Sequence, residues 1–389
     1  MKNSVYVIRI TLIFISLLMF LGSCTFTSRY VFLNVPDVND YKKLPSRTVK
    51  AGETATFNFD AAKGFDINSI VPLRFNGKTV NNLDTFLEGS GTTAFMVIRN
   101  DTVLYENYFN GHDHESYCKA FSASKVFISA LIGLAIEEGK IASVNDPVMK
   151  YIPELNDKRF AGLTINHCLA LTAGIRTNNK QAFPWNDKVR IYYTRDLRKL
   201  VSGIDYAKEP GKEFFVEEFS PVILGLVLER ATGKSVSDYL ADKLWTPLGM
   251  EKDGLWVTDR KNNGFEAVNS GLTGVATDFA RFGRLYLNQG MWNGKKLLPA
   301  DWISASTRPD TASISFYNKI EYYEGRDVYY NSMWWGLRNN ENEYEYSANG
   351  HFGQRIYISP SKNAVVIRFG SKDGKVDWTS FIMKLVEKI

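Results

Sequence analysis

The chain has 389 residues, 44% of them apolar and 14% aromatic, which is enough to bury a large core. Its net charge of +5 is too mild for a nucleic-acid binder, and no basic run with interleaved aromatics occurs. Its length alone suggests two or three domains.

In chain order, Lys2 and Arg9 precede an apolar run from Ile10 to Leu21, and Leu21-Gly22-Ser23-Cys24 follows. Residues 1–23 read as a signal peptide, a run too short for a spanning helix. No other stretch is long and apolar enough to span. Residues 24–82 have mixed polarity and read as an N-terminal tether and accessory segment, with strand-like alternation in parts of 48–59. Residues 94–99 and 102–109 are β-rich and meet at Asn100-Asp101, a hairpin signal. Phe121-Ser122-Ala123-Ser124-Lys125 then opens an Ala- and Leu-rich helix that stops at Gly139.

Helical patterns dominate residues 140–310. Thr164 is an N-cap signal for a short helix stopped at Gly174, and 221–232, 236–244 and 276–287 are further helices. Residues 310–345 are aromatic and polar without clear period and read as a loop-rich wall. Strands return at 354–359 and 364–369, joined by Pro360-Ser361-Lys362-Asn363, and a helix over 378–388 closes the chain. This order predicts an α/β (α+β) fold: a mainly antiparallel sheet from both chain ends, flanked by helices, with an inserted helical subdomain.

The chemistry centres on Ser122 and Lys125. Residues three apart share a helix face, so these two are neighbours and Ser124 points elsewhere. A serine hydroxyl needs a base to become a nucleophile. A lysine can serve when burial disfavours its charged form. The N–H groups at a helix start suit an oxyanion. By chance alone S-x-x-K is common, so the motif needs the rest of the chain behind it.

Four segments supply that support: Phe121–Lys125 with its helix, Leu163–Ile175, Pro210–Met250 (with Ala231-Thr232-Gly233 and Pro247-Leu248-Gly249-Met250), and Gly350-His351-Phe352-Gly353-Gln354. In this order and spacing the chain, from about Leu83 onward, resembles the serine β-lactamase and penicillin-binding-protein superfamily. The likeness is greatest to its class C β-lactamase, esterase and nylon-oligomer hydrolase branch. The resemblance implies that Ser122 is acylated and Lys125 carries the proton. It implies that His351-Phe352-Gly353 stands for the family's third motif on a sheet-edge strand. Gln354 would then add a backbone N–H to the oxyanion hole beside that of Ser122. It further implies that Cys24 carries lipid, as in bacterial lipoproteins, placing the protein at the cell envelope.

The second motif departs from the family. Counting from Pro210-Gly211 and back from Gly225, the Tyr-x-Asn position reads Val216-Glu217-Glu218. Valine cannot move a proton. Glu218 is expected to face Lys125, where a carboxylate favours the ammonium form. Glu218 itself is then a candidate base, and Tyr192, Tyr193 or Tyr346 could instead swing in. Asp187 could line the site by analogy with related hydrolases. The alternative is a catalytically inactive module binding a peptide or peptidoglycan fragment.

The weaker constellations are read as structural. Gly111-His112-Asp113-His114-Glu115 lacks helical metal-ligand spacing, and His167 reads as a core residue. Cys118 and Cys168 read as two buried thiols, with a bridge as the alternative. No H-E-x-x-H or G-x-S-x-G occurs. Residues 83–389 are therefore expected to be a lipid-anchored, exported serine hydrolase acting on a small-molecule or peptide ester or amide. It would need no metal or cofactor.

Overall fold

A computed structural model describes residues 11, 29–30, 33–53, 57–155, 157–178, 186–309, 326–338 and 343–389. The expected leader, Thr11 aside, and Cys24 lie outside the described residues. Among the described residues no helix is long and apolar enough to cross a membrane.

Among the described residues eight strands form the main sheet: β1 (Asp60–Ala61), β2 (Thr92–Arg99), β3 (Thr102–Tyr108), β4 (Asp327–Asn331), β5 (Trp334–Arg338), β6 (Tyr344–Gly350), β7 (Gln354–Ser359) and β8 (Ala364–Gly370). Their order is β4-β5-β6-β7-β8-β2-β3-β1, antiparallel except for the short β1 beside β3. Asn100 and Asp101 both adopt left-handed backbone (φ 51° and 59°), the requirement of the tight turn that matches strand twist. That turn sets the β2–β3 hairpin, and β8 then closes on β2 with Val366 opposite Val97. The two chain ends thus share one sheet, as expected.

Within 310–345, the described residues 326–338 and 343–345 differ from the reading of a loop-rich wall, and the rest lie outside the described residues. Those described form β4, β5 and the start of β6. The middle residues of β4, Val328-Tyr329-Tyr330, are all buried, so the polar/apolar alternation of a half-solvated strand is missing. The β4–β5 turn uses Ser332 and Met333 at positive φ (43° and 73°), residues that give no turn signal.

Helix α1 (Lys125–Glu137) has no polar face, because every residue from Lys125 to Ala135 is buried. It packs against α3 (Phe219–Thr232), which follows α2 (Asp187–Tyr193) in the chain, and Phe127 stacks on Phe282 of α4 (Ala276–Leu287) at 3.9 Å. Burying each such aliphatic or aromatic side chain contributes about 1.5–3 kcal/mol. Gly139 ends α1 at φ +67°, with Gly139 N–H donating to Ile136 and Lys140 N–H to Ala135, a Schellman closure. The α4 helix covers one face of β7 and β8, and α5 (Trp378–Lys388) covers the other.

A smaller four-stranded sheet joins Ser46–Val49, Gly254–Val257, Leu272–Gly274 and Cys118–Lys119. It delivers the chain to Ser122, and it includes the N-terminal segment. Leu33 and Leu44 are buried with Tyr193 and Val257, so residues 33–49 are docked on the body where the sequence suggests a tether.

Candidate active site

Ser122 lies in the single turn Phe121–Ser124, and Lys125 begins α1 directly after it. Phe121 has φ +48°, a left-handed conformation that costs a bulky residue energy and is held only by its surroundings. Ser122 is half-buried, while Lys125 is 5% exposed. Both line a cavity of about 310 Å³ with Glu218, Val216, Leu171, Lys188, Tyr330, Trp335, Asn349, Gly350, His351 and Arg355 among its walls. Ser124 points away and is fully buried; its Oγ accepts from Leu272 N–H at 3.2 Å.

Glu218 faces Lys125 as its register demands, with Oε2 3.1 Å from Lys125 Nζ. Asn269 Nδ2 donates to the same Oε2 at 3.0 Å. Glu217 turns the other way. It is buried at the start of α3, where its carboxylate accepts the N–H groups of Phe219 and Ser220, donors a helix start would otherwise leave unpaired. Burial pushes the Glu217 carboxyl up, while those hydrogen bonds and the Lys125 charge pull it down.

Gly350 ends β6, opposite Gln354. A Cβ at Gly350 would meet the Ala120 carbonyl oxygen at 2.3 Å, so only glycine lets this strand end approach the Ser122 turn. His351-Phe352-Gly353 is the turn between β6 and β7, with Phe352 at φ 61° and Gly353 at φ +78°. This corrects the expectation of a strand. The His351 ring packs edge-on to Phe121, with centroids 5.6 Å apart. Burial lowers the His351 pKa, with Lys188 and Lys119 adding to the effect and Asp373 opposing it. Gln354 follows this turn at the start of β7, and neither it nor Gly353 is among the residues lining the cavity. The buried Gln354 side chain bonds both backbone groups of Gly370, at 2.9 and 2.7 Å.

A model of the beta-lactamase family matches residues 81–379. The chain belongs to the beta-lactamase family. Among its relatives, the 6-aminohexanoate-dimer hydrolase of Paenarthrobacter ureafaciens is 26% identical over 305 residues, 75% of each chain. A Bacillus anthracis structure provisionally named as a 6-aminohexanoate-dimer hydrolase superposes with TM-score 0.75 at 24% identity, over 88% of this chain and 89% of that one. EstCE1, a hydrolase with promiscuous acyltransferase activity, superposes at TM-score 0.60 and 16% identity, over 78% of this chain and 95% of that one.

Within this beta-lactamase fold none of the three candidate tyrosines reaches the cavity. Tyr346 is buried in β6, Tyr193 Oη bonds the Asn34 carbonyl, and Tyr192 Oη lies between Lys119 and Asp40. The tyrosine that does line it is Tyr330, on β4, which the sequence reading misses along with Trp335 and Asn269. Asp187 is buried, accepting from Asn178 N–H and Arg190, while its neighbour Lys188 lines the cavity. His167 closes a reciprocal cap with Thr164. His114 bridges Glu106 and Glu251 at 3.1 and 3.0 Å, and among the described residues no cluster could hold a metal. Cys118 and Cys168 are free buried thiols, and burial pushes Cys118 up to about 12.

Proposed function

We propose that this family member is a serine hydrolase that cleaves a carboxylate-bearing ester or amide through an acyl-enzyme on Ser122. The observation that carries the proposal is the Lys125–Glu218 ion pair, 3.1 Å long, in the cavity that Ser122 also lines. As Ser122 Oγ attacks the carbonyl carbon, Lys125 takes the hydroxyl proton and passes one of its own to Glu218. Serine's proton is thereby stored on a carboxylate without leaving a bare charge in a buried site. The tetrahedral oxyanion is met by the backbone N–H of Ser122. The Glu218 proton returns through Lys125 to the leaving oxygen or nitrogen, and the carbon–leaving-group bond breaks. Water then attacks the acyl-serine by the same relay and restores Ser122. In this scheme Glu218 takes over the proton-holding role that Val216 cannot fill, and Asn269 orients it.

Lys188 and Arg355 bring cationic groups to the cavity walls, while the acidic Glu218 is tied to Lys125. This balance favours a substrate with an anionic end, which fits the 6-aminohexanoate dimer in the name of the Paenarthrobacter relative. A charge-assisted hydrogen bond to that carboxylate would contribute about 1.5–3 kcal/mol. Lys188→Ala should therefore raise KM about 10-fold or more for an acid substrate and little for its neutral carboxamide. Equal loss on both would refute the anionic subsite.

The location proposed is the cell envelope, with residues 1–23 removed and Cys24 lipidated. Leu21-Gly22-Ser23-Cys24 after a short apolar run supports it. Cys24→Ser should abolish metabolic lipid labelling; equal labelling of the variant would end this part of the proposal.

A further inference from the structure

We propose that the N-terminal segment holds the nucleophile's turn in place through a strut of Asp40, Tyr192 and Lys119, with Lys119 as a positioning residue for Ser122 and His351. The proposal rests on the reading of Ser122 as nucleophile. Its first element, Asp40, lies outside residues 81–379, the stretch matched by the family model.

The strut is continuous. Asp40 is fully buried, and its Oδ2 accepts from Asp37 N–H at 2.9 Å and from Tyr192 Oη at 2.7 Å. Tyr192, on α2, in turn accepts from Lys119 Nζ at 2.8 Å. Lys119 is 2% exposed, and its ammonium lies over the Phe121 ring at 4.5 Å and the Tyr192 ring at 4.9 Å. Phe121 is the left-handed residue immediately before Ser122, and its ring also touches His351 and Phe352 edge-on at 5.6 and 5.5 Å. A strained conformation persists only where its surroundings over-determine it. Here a buried cation holds one ring face and the β6–β7 turn abuts the ring. Lys119 is itself fixed in the small sheet, with its Cα opposite Thr273.

A cation attracts an aromatic face only while it is charged. Burial lowers the Lys119 pKa to about 8, with Asp40 and Asp37 pulling the other way. The charged or titratable groups facing it are Asp37 and Asp40 from the N-terminal segment, Tyr192 from α2, His351 from the β6–β7 turn, and His112, Tyr117 and Cys118 around a small cavity. As pH rises through about 8 the ammonium loses its proton and its hold on Phe121 weakens. Removing the Asp40 charge lowers the Lys119 pKa, so the loss comes at lower pH.

The test compares the full-length protein with Lys119→Met, the near-isosteric Asp40→Asn and the milder Tyr192→Phe. Hydrolysis of a p-nitrophenyl ester is followed against pH, and the His351 ring is titrated by NMR, assigned with His351→Gln. A misplaced nucleophile costs on the order of 10–100-fold. Lys119→Met should lose that much kcat with KM changed less than about threefold, and its profile should lack the alkaline limb near pH 8. Asp40→Asn should move that limb to lower pH. His351 should titrate at higher pH in Lys119→Met, because a nearby positive charge is gone. Wild-type kcat, an unchanged alkaline limb and an unmoved His351 titration in folded Lys119→Met would overturn the strut. An inert wild-type protein would overturn the hydrolase reading instead, and the His351 titration would still decide the strut alone.

Discussion

Lys125 Nζ lies 3.1 Å from Glu218 Oε2, at the register where the family's motif carries an asparagine. The family's neutral amide is thus replaced by a carboxylate that can hold a proton, two residues after a valine that cannot. Removing one partner of a buried ion pair leaves the other uncompensated, so each half constrains the other.

Glu218→Gln keeps the shape and removes the proton store. It should lower kcat/KM by about 10²–10⁴-fold, the usual worth of a general base. Adding Val216→Tyr should recover part of the loss, because Val216 lines the same cavity and a tyrosine there restores the family's proton-carrying side chain. Steady-state ester hydrolysis by the single and double variants measures both effects. Full activity in Glu218→Gln would remove Glu218 from the mechanism and turn attention to Tyr330.

Gly350→Ala drives a methyl to within 2.3 Å of the Ala120 carbonyl oxygen, which is backbone and cannot step aside. Overpacking of this kind costs about 1–3 kcal/mol. The variant should melt several degrees lower and lose most of its activity, because the displaced backbone carries Ser122. An unchanged melting curve and rate would show that β6 does not press on the turn.

His114 ties the β3 end to Glu251. Burial alone would lower its pKa, but Glu106 and Glu251 together raise it above the ordinary value. A histidine whose folded pKa is raised stabilises fully below its unfolded pKa, near 6.5, and loses that contribution as pH rises through the folded value. With a side chain 45% exposed, the pair is worth at most about 1 kcal/mol. Thermal melts should show His114→Gln less stable than wild type at pH 6, the gap closing toward pH 9. A constant gap would assign the loss to packing.

Ser122, Lys125 and Glu218 are legible in the sequence because short helical spacing and one register count determine which side chains meet. The β2–β3 hairpin is legible because Asn100-Asp101 names its own turn. The wall opposite them is not. Tyr330 and Trp335 arrive through strand pairings between β4 and β6, in a stretch buried on both faces where alternation disappears. The direction of the Gln354 side chain is not legible, because a motif shows where a residue falls in the chain and not which way it turns. Here the β6–β7 turn directs its amide to Gly370. Asp40 is missed because nothing local announces that an N-terminal acid will be buried against Tyr192.

The central claim is that Ser122 forms a covalent acyl intermediate. Full-length protein treated with a fluorophosphonate should gain one adduct, mapped by mass spectrometry to the peptide holding Ser122. The adduct should vanish in Ser122→Ala, persist in Ser124→Ala and form much more slowly in Glu218→Gln. No adduct on Ser122 in protein with a native melting transition, or equal labelling of Ser122→Ala, would contradict it.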